Sequence, residues 1–280
     1  MIISASRRTD IPAFYADWLI NRLNAGYCLV KNPFNPGQIR RVSLLPDDVD
    51  GIVLWTKNAA PLLAKISVLD RFPYYFNYSV TPYHTDIERG LADKSSVIIP
   101  AFIELSKHIG TARMIWRYDP ILITEKYNFA YHISAFSRLC ELLAGSTEKC
   151  VISFAVAYKS IAKNMREAGH RELNIQEKMQ LAEALLSIAE NHSITLCACC
   201  EVPELFALGI QSVSCVDANI FGAAAMKDKN QRNGCNCAAS VDIGAYNSCM
   251  NGCLYCYANH AEAKVKQNYA EHDSSGEILI

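Results

Sequence analysis

The sequence has almost no net charge and no long apolar run. Its 280 residues include 27 Lys and Arg against 28 Asp and Glu, so the formal net charge is −1 at pH 7. This balance removes the electrostatic basis for a general nucleic-acid binder, although it leaves room for a local basic groove. No apolar run approaches the ~18 residues of a membrane span, and the first residues lack the order of a signal peptide. We therefore expect a cytoplasmic protein with no membrane contact and no strong nucleic-acid affinity.

Several catalytic motifs are also missing. No G-x-G-x-x-G follows the first predicted strand, and no P-loop occurs, which argues against a standard nucleotide-binding sheet. The seven histidines are scattered, without H-E-x-x-H or paired spacing, so a mononuclear histidine metal centre is not supported. There is no G-x-S-x-G elbow and no nucleophile with a recognisable base. The chemistry of this chain has to come from other residue types.

Cysteine is the residue type that stands out. The chain contains 12 cysteines, and most of them lie between Cys197 and Cys256. A disulfide scaffold is normally short, secreted and loop-rich, and this chain is long and rich in apolar residues. Concentrated thiols in such a chain indicate metal binding. The isolated Cys28, Cys140 and Cys150 are better explained as small buried hydrophobic residues.

The densest cysteine motif is C-x3-C-x2-C at Cys249, Cys253 and Cys256. Gly252 lies inside it and tolerates positive φ, which allows a tight turn between the thiols. A structural zinc site takes four ligands, and an ordinary [4Fe–4S] cluster takes four cysteines. With three thiolates, one iron of such a cluster is left for another molecule. The alternative is a zinc or a closed cluster completed by a remote fourth cysteine.

Short β-branched runs alternate with longer amphipathic ones along the chain. The predicted strands span residues 2–6, 51–56, 74–79, 112–117, 149–157, 194–199 and 212–216. The predicted helices span residues 13–24, 59–65, 95–109, 127–143, 175–190 and 257–269. Strand–helix alternation calls for parallel strands covered by helices. We expect an α/β protein with a TIM-like (β/α) barrel, complete or partial, rather than an open doubly wound sheet.

Polar residues follow nearly every predicted strand, and this favours the barrel. In barrels, one composite active site is built from the carboxyl ends of many strands. The catalytic candidates at these ends are Arg7, Arg8, Asp10, Lys57, Arg117 and Asp119. The guanidinium group of an arginine can donate two parallel hydrogen bonds to a carboxylate or a phosphate. The structural alternative is that these charged residues form salt bridges with one another at the rim of the barrel. Trp55 is a candidate for stacking an adenine beside the Lys57 cation, and the charge run 227–232 is either solvated or a phosphate contact.

Residues 232–246 differ in composition from the rest of the chain, because most of them are small, polar or turn-forming. We divide the chain into a barrel body at 1–232 and a cysteine-rich segment with the final helix at 233–280, packed together as one structural domain. A second metal site is expected where Cys215, Cys235 and Cys237 converge with Cys199 or Cys200. Four thiols would suit a second [4Fe–4S] cluster or a zinc.

Several stretches together resemble the family of domain of unknown function 1848, over almost the whole chain. They are Ser4-Ala-Ser-Arg-Arg-Thr-Asp-Ile-Pro12, Lys31-Asn-Pro-Phe-Asn-Pro36, Trp55-Thr-Lys57, the Cys-x-Cys pair, Asp242-Ile-Gly244 and the closing cysteine triplet with Tyr-Ala-Asn259. That family has no assigned reaction. The resemblance places a cysteine directly before Glu201, which favours Cys200 as a ligand over Cys199.

The cysteine triplet, with an aromatic residue at Tyr255, also resembles the cluster motif of the radical S-adenosylmethionine enzymes. In those enzymes the open iron binds the amino and carboxylate groups of S-adenosylmethionine, and reduction releases a 5′-deoxyadenosyl radical. In those enzymes the motif follows the first strand of the barrel, whereas in this chain it comes after the last predicted strand. The order of elements along the chain would therefore be circularly permuted, while the motif keeps its place in the barrel.

The resemblance implies a radical enzyme of unknown substrate. The cofactors would be a [4Fe–4S] cluster and S-adenosylmethionine, with Trp55, Tyr255 and Asn259 as cofactor contacts. A small molecule or a flexible peptide or nucleotide end would be the substrate, and a ferredoxin or flavodoxin the electron donor. The alternative is a non-catalytic iron–sulfur electron carrier or a zinc-stabilised binding protein.

Overall fold

A single large parallel sheet forms the centre of the molecule. The computed structural model describes residues 1–200, 203–231 and 234–280. The strands are β1 (Ile2–Ala5), β2 (Tyr27–Asn32), β3 (Asn35–Ser43), β4 (Gly51–Thr56), β5 (Tyr74–Ser79), β6 (Met114–Ile121), β7 (Lys149–Phe154), β8 (Thr195–Ala198), β9 (Gln211–Ser212) and β10 (Ser240–Asp242). Eight of them pair in the order β10-β1-β4-β5-β6-β7-β8-β9. The predicted α/β class with a parallel sheet is thereby confirmed.

The strand order follows the chain around the sheet, except that β10 returns beside β1. Ile3 pairs with Ile52 of β4 on one side and with Val241 of β10 on the other, both in parallel register. Among the described residues, β9 and β10 are the two edges and no pairing closes the sheet into a barrel. The segments beside these edges do meet, because the Ala238 N–H donates to the Val216 carbonyl at 2.9 Å.

Helices cover one face of the sheet. They are α1 (Ile11–Phe14), α2 (Ala16–Ala25), α3 (Ala60–Leu63), α4 (Ile99–Ile109), α5 (Phe129–Leu143), α6 (Ala162–Glu167), α7 (Ile175–Asn191), α8 (Pro203–Ala207) and α9 (Glu262–Ala270). Their apolar faces bury Leu19, Phe102 and Phe136 in the main core. None of the helices in the described ranges combines the length and the apolar composition that a membrane span requires.

The strands are buried on both faces, as their continuous apolar runs predict. Alternate residues point in opposite directions along a strand. Ile52 and Leu54 of β4 belong to the main core under the helices, whereas Val53 belongs to a second cluster on the other face. That second cluster also contains five buried cysteines, namely Cys197, Cys199, Cys215, Cys235 and Cys237. The sheet therefore carries the cysteine-rich region on the face opposite the main helical core.

Several features of the fold differ from the sequence-based prediction. The antiparallel hairpin β2–β3 follows α2, with the side chain of Phe34 fully exposed near its turn. The short strand β10 lies in the segment that sequence analysis treated as a loop, and its three residues pair with β1. The last helix begins at Glu262, later than the predicted residue 257. The predicted domain boundary at 232–233 lies outside the described residues.

Candidate metal and cofactor site

Asp10 connects the end of the first strand to the cysteine motif. It begins α1 as the N-cap, accepting from the Ala13 N–H at 3.1 Å. Its carboxylate also accepts from the Thr56 hydroxyl at 2.7 Å, the Lys57 N–H at 2.7 Å and the Asn251 side-chain amide at 3.0 Å. Burial raises the pKa of Asp10. The residue acts here as a structural junction, with its oxygens already occupied.

A second buried carboxylate, Glu88, supports the motif from the other side. It is 1% exposed and lies in the loop between β5 and α4. It accepts from Lys57 Nζ at 2.8 Å, Lys94 Nζ at 2.7 Å, the Thr81 hydroxyl at 2.7 Å and the Tyr255 hydroxyl. Burial opposes ionisation, but the two ammonium groups lower the pKa of Glu88 to about 2. No sequence motif marks this residue, and it was not among the predicted site residues.

The backbone of the motif is also tied to the loop that carries Glu88. The Gly90 N–H donates to the Asn251 carbonyl at 2.9 Å, and the Leu254 N–H donates to the Ile87 carbonyl at 3.0 Å. A side chain at Gly90 would collide with the carbonyl oxygen of Met250. This close approach explains why glycine is needed at this position.

The three motif thiols share partial exposure and a raised pKa. Cys249, Cys253 and Cys256 are each partly exposed, and desolvation raises the pKa of all three. Two kinds of group oppose this rise in pKa. Lys57 favours the thiolate of Cys253, and backbone N–H groups are directed at the sulfurs of Cys249 and Cys256. The Asn259 side-chain amide donates to the Cys249 carbonyl at 2.6 Å. A positively charged partner bonded to sulfur would convert these thiols to thiolates.

The second cysteine group lies on the sheet face opposite the main core. Cys199 Sγ lies 2.9 Å from Cys215 Sγ, and Cys237 Sγ accepts from the N–H groups of Cys215 and Val216 at 3.2 and 3.4 Å. The Cys237 N–H points at Cys235 Sγ at 3.5 Å. Hydrogen bonds with Cys199 and Cys215 lower the pKa of Cys237, and hydrogen bonds with Cys215 and Cys237 raise the pKa of Cys199.

These contacts place Cys199 directly inside the group. Cys200, the residue favoured by the resemblance, packs against the same cluster with a partly exposed side chain and a φ of 55°. The neighbouring Glu201, which carried that preference, lies outside the described residues. The sequence had left these two cysteines as alternatives, and the thiol contact favours Cys199.

Neither cysteine group has the spacing of a preformed metal site. In the described ranges, no three His, Cys, Asp or Glu side chains are arranged to bind one metal ion. Two thiolates on a tetrahedral zinc, with Zn–S bonds of about 2.3 Å, are separated by about 3.8 Å. The 2.9 Å contact between Cys199 Sγ and Cys215 Sγ is shorter than this. The donor types suit a thiophilic metal or cluster, and binding one would require these side chains to move apart.

Two arginines bracket Trp55 beside the second cysteine group. The guanidinium carbons of Arg7 and Arg117 each lie 5.3 Å from the centroid of the Trp55 ring. Arg117 donates to Cys215 Sγ at 3.2 Å and forms an ion pair with Asp119. Cys237 and Cys215 also raise the pKa of Arg7 against the effect of its burial. The predicted candidates at the ends of β1, β4 and β6 therefore do come together.

Asp242 of β10 orients the two arginines that follow β1. Its carboxylate accepts from the Ser6 hydroxyl at 2.6 Å and the Arg7 N–H at 2.8 Å, and it lies 3.8 Å from Arg8 Nε. Sequence analysis quoted Asp242 only as part of a family pattern. An acidic residue at the end of a strand was the available signal, but the strand itself had not been predicted.

Two comparisons with known proteins bear on this site. A family model described as a domain of unknown function (DUF1848) matches residues 2–258. No curated protein matches the chain. The family match includes both cysteine groups and every candidate site residue except Asn259.

Proposed function

This chain belongs to the DUF1848 family, a domain of unknown function, and we propose that it is a radical S-adenosylmethionine-type iron–sulfur enzyme. Cys249, Cys253 and Cys256 would hold a [4Fe–4S] cluster with one iron left for S-adenosylmethionine. The main support is a loop that carries three thiols and is fastened at Asp10, Gly90 and Glu88. These hydrogen bonds hold the short loop with its three sulfurs in place, although the loop contains little regular secondary structure.

The charges around the motif also support a bound anionic cluster. Burial raises the pKa of Cys253, Lys57 is the charge that lowers it, and Glu88, Cys256 and Cys249 raise it further. Lys57 Nζ lies 2.8 Å from Glu88 Oε1 and 5.6 Å from the centroid of the Tyr255 ring, so it is held beside the motif. Hydrogen bonds and positive charge near the sulfurs are among the features that tune such clusters.

When bound and reduced, the cluster would cleave S-adenosylmethionine to a 5′-deoxyadenosyl radical, which abstracts hydrogen from a substrate. The chain's own residues would position the participants. Lys57 places a cation beside the thiols, and Asn259 offers a buried Oδ1 acceptor without a partner. This acceptor suits an ammonium or hydroxyl group of the nucleotide. The substrate would be a small molecule or a flexible chain end, and the electrons would come from a ferredoxin or flavodoxin.

The strand order supports a (β/α) barrel as the finer architecture. Eight parallel strands follow each other in chain order, with the last beside the first, as in an eight-stranded barrel opened between β9 and β10. The face with the second cysteine group would be its interior. We further propose that Cys199 or Cys200, with Cys215, Cys235 and Cys237, binds a second cluster or a zinc.

The test uses full-length protein purified and reconstituted without air. We expect about four irons at the motif and formation of 5′-deoxyadenosine when dithionite and S-adenosylmethionine are added. Cys253→Ala should lose both, whereas Cys140→Ala, which changes a cysteine buried in α5, should retain both. Iron-loaded protein that forms no 5′-deoxyadenosine would instead indicate an electron carrier. Zinc without iron would indicate a structural site.

A further inference from the structure

Buried polar atoms without partners are concentrated around the candidate site. Among the described residues, six buried side-chain nitrogen or oxygen atoms have no hydrogen-bond partner. Four of the six belong to residues at the ends of β1 and β4 or in the cysteine loop, namely Arg7 Nη2, Thr9 Oγ1, Trp55 Nε1 and Asn259 Oδ1. An unpaired buried donor costs free energy that a suitable ligand recovers. This concentration points to a ligand at the site.

Arg7 and Trp55 supply two of these atoms, and both are donors. The Arg7 guanidinium lies over the Trp55 ring, and both side chains are partly exposed. The Arg7 backbone is held at both ends of the residue, by the N–H bond to Asp242 and by the Tyr257 hydroxyl, which donates to the Arg7 carbonyl at 3.2 Å. A guanidinium beside an indole N–H is suited to donate hydrogen bonds to the oxygens of a planar or tetrahedral anion.

Four other cations near the site already have carboxylate partners. Lys57 and Lys94 share Glu88, Arg117 pairs with Asp119, and Arg8 lies near Asp242. Arg7 forms no ion pair with any carboxylate of the described residues. An anionic ligand can therefore pair with the charge of Arg7 without displacing a protein carboxylate from it.

We propose that Arg7 Nη2 and Trp55 Nε1 bind an oxyanion, a carboxylate or a phosphate, on the substrate of this enzyme. The position separates this anion from the carboxylate of S-adenosylmethionine. Arg7 lies over the ring of Trp55, and Arg117 over the same ring donates to Cys215 Sγ of the second group, whereas Lys57 Nζ lies 5.6 Å from the ring centroid of Tyr255 in the C-x3-C-x2-C motif. The assignment to the substrate rests on the proposed function, and the binding site itself does not.

The test measures binding to full-length protein in the absence of S-adenosylmethionine. Inorganic phosphate and acetate are titrated at constant ionic strength with chloride as the balancing anion, and tryptophan emission is followed. Trp18 and Trp116 are fully buried and give a constant background, which Trp55→Phe measures. Arg113→Gln is the matched control, because Arg113 also lies over an aromatic ring, that of Tyr74, away from the site.

We expect a saturable change in the unmodified protein and in Arg113→Gln, with affinity at least about tenfold weaker in Arg7→Gln. The tighter of the two anions identifies the group on the substrate. Equal affinity in Arg7→Gln, or no saturable change with either anion, would overturn the proposal. So would competition between S-adenosylmethionine and the anion for Arg7. Formation of 5′-deoxyadenosine is scored separately, so that either proposal can fail while the other stands.

Discussion

The side-chain amide of Asn251 donates to Asp10 Oδ2 at 3.0 Å, across 241 positions of the sequence. This bond joins the middle of the cysteine motif to the loop after the first strand. The same carboxylate accepts from Lys57 N–H and Thr56 at the end of β4. The position of the motif near the C-terminus thus depends on the ends of β1 and β4, two neighbouring strands in the N-terminal part of the sequence.

Removal of the Asp10 carboxylate should destabilise the fold and loosen the motif. Asp10→Ala leaves up to four donors without their acceptor, and we expect the free energy of unfolding to fall by about 3 kcal/mol. Urea denaturation followed by circular dichroism measures this, and iron content after anaerobic reconstitution should fall in parallel. Asp47→Ala removes an exposed carboxylate and should change stability by less than about 0.5 kcal/mol. If the two variants are equally stable, Asp10 is not the junction described.

Gly90 provides a steric test of the same loop. A Cβ at this position meets the Met250 carbonyl, so Gly90→Ala has to displace the motif backbone. We expect a loss of about 1–3 kcal/mol in the free energy of unfolding and reduced iron loading. Gly37→Ala is the control, because its Cβ would lie 3.6 Å from the nearest atom, Asn35 Oδ1. Normal iron loading in Gly90→Ala would show that the loop tolerates the displacement.

The sheet was predictable because its strands carry unmistakable signals. β4 and β5 were placed at their observed bounds, since both are rich in β-branched or aromatic residues. β10 was not predictable in this way. Its three residues, Ser240–Asp242, include two polar ones, and pairing with β1 rather than composition makes them a strand. A local sequence pattern does not show that a segment pairs with a strand far away in the sequence.

The candidate site was predictable in its residue types and less so in its connections. Arg7 follows β1, whereas Trp55 and Arg117 lie within β4 and β6, and the parallel sheet brings the three together. Glu88 was missed because it lies in a long loop with no motif around it. Its role comes from burial between Lys57 and Lys94, which only the folded chain creates.

The two adjacent cysteines at the end of β8 allow a direct test of the second group. Cys199 Sγ is 2.9 Å from Cys215 Sγ, whereas Cys200 is partly exposed at the edge of the cluster. We expect Cys199→Ala to lose metal from the second group and Cys200→Ala to retain it. Metal analysis of both variants is best made in a Cys253→Ala background, where the first motif does not contribute. The reverse pattern would restore the preference for Cys200.

His132 should make the stability of the protein depend on pH, away from both cysteine groups. Its ring is fully buried, with Nε2 3.1 Å from the Leu122 carbonyl and Nδ1 2.8 Å from the Tyr118 hydroxyl. Because a carbonyl only accepts, the proton lies on Nε2 and Nδ1 accepts from Tyr118. Burial lowers the pKa of His132 from 6.5 to about 4. The neutral ring is therefore the form that the fold stabilises.

The sign of the effect follows from proton uptake by the unfolded chain. Between about pH 6.5 and pH 4 the unfolded state binds a proton at His132 that the folded state does not, so stability falls as the pH falls. From pH 7 to pH 5 we expect a loss of about 2 kcal/mol beyond that of His132→Gln. Urea denaturation at both pH values measures the difference, and the exposed His108→Gln should behave as the unmodified protein. An equal loss in His132→Gln would mean that carboxylates alone govern this pH range.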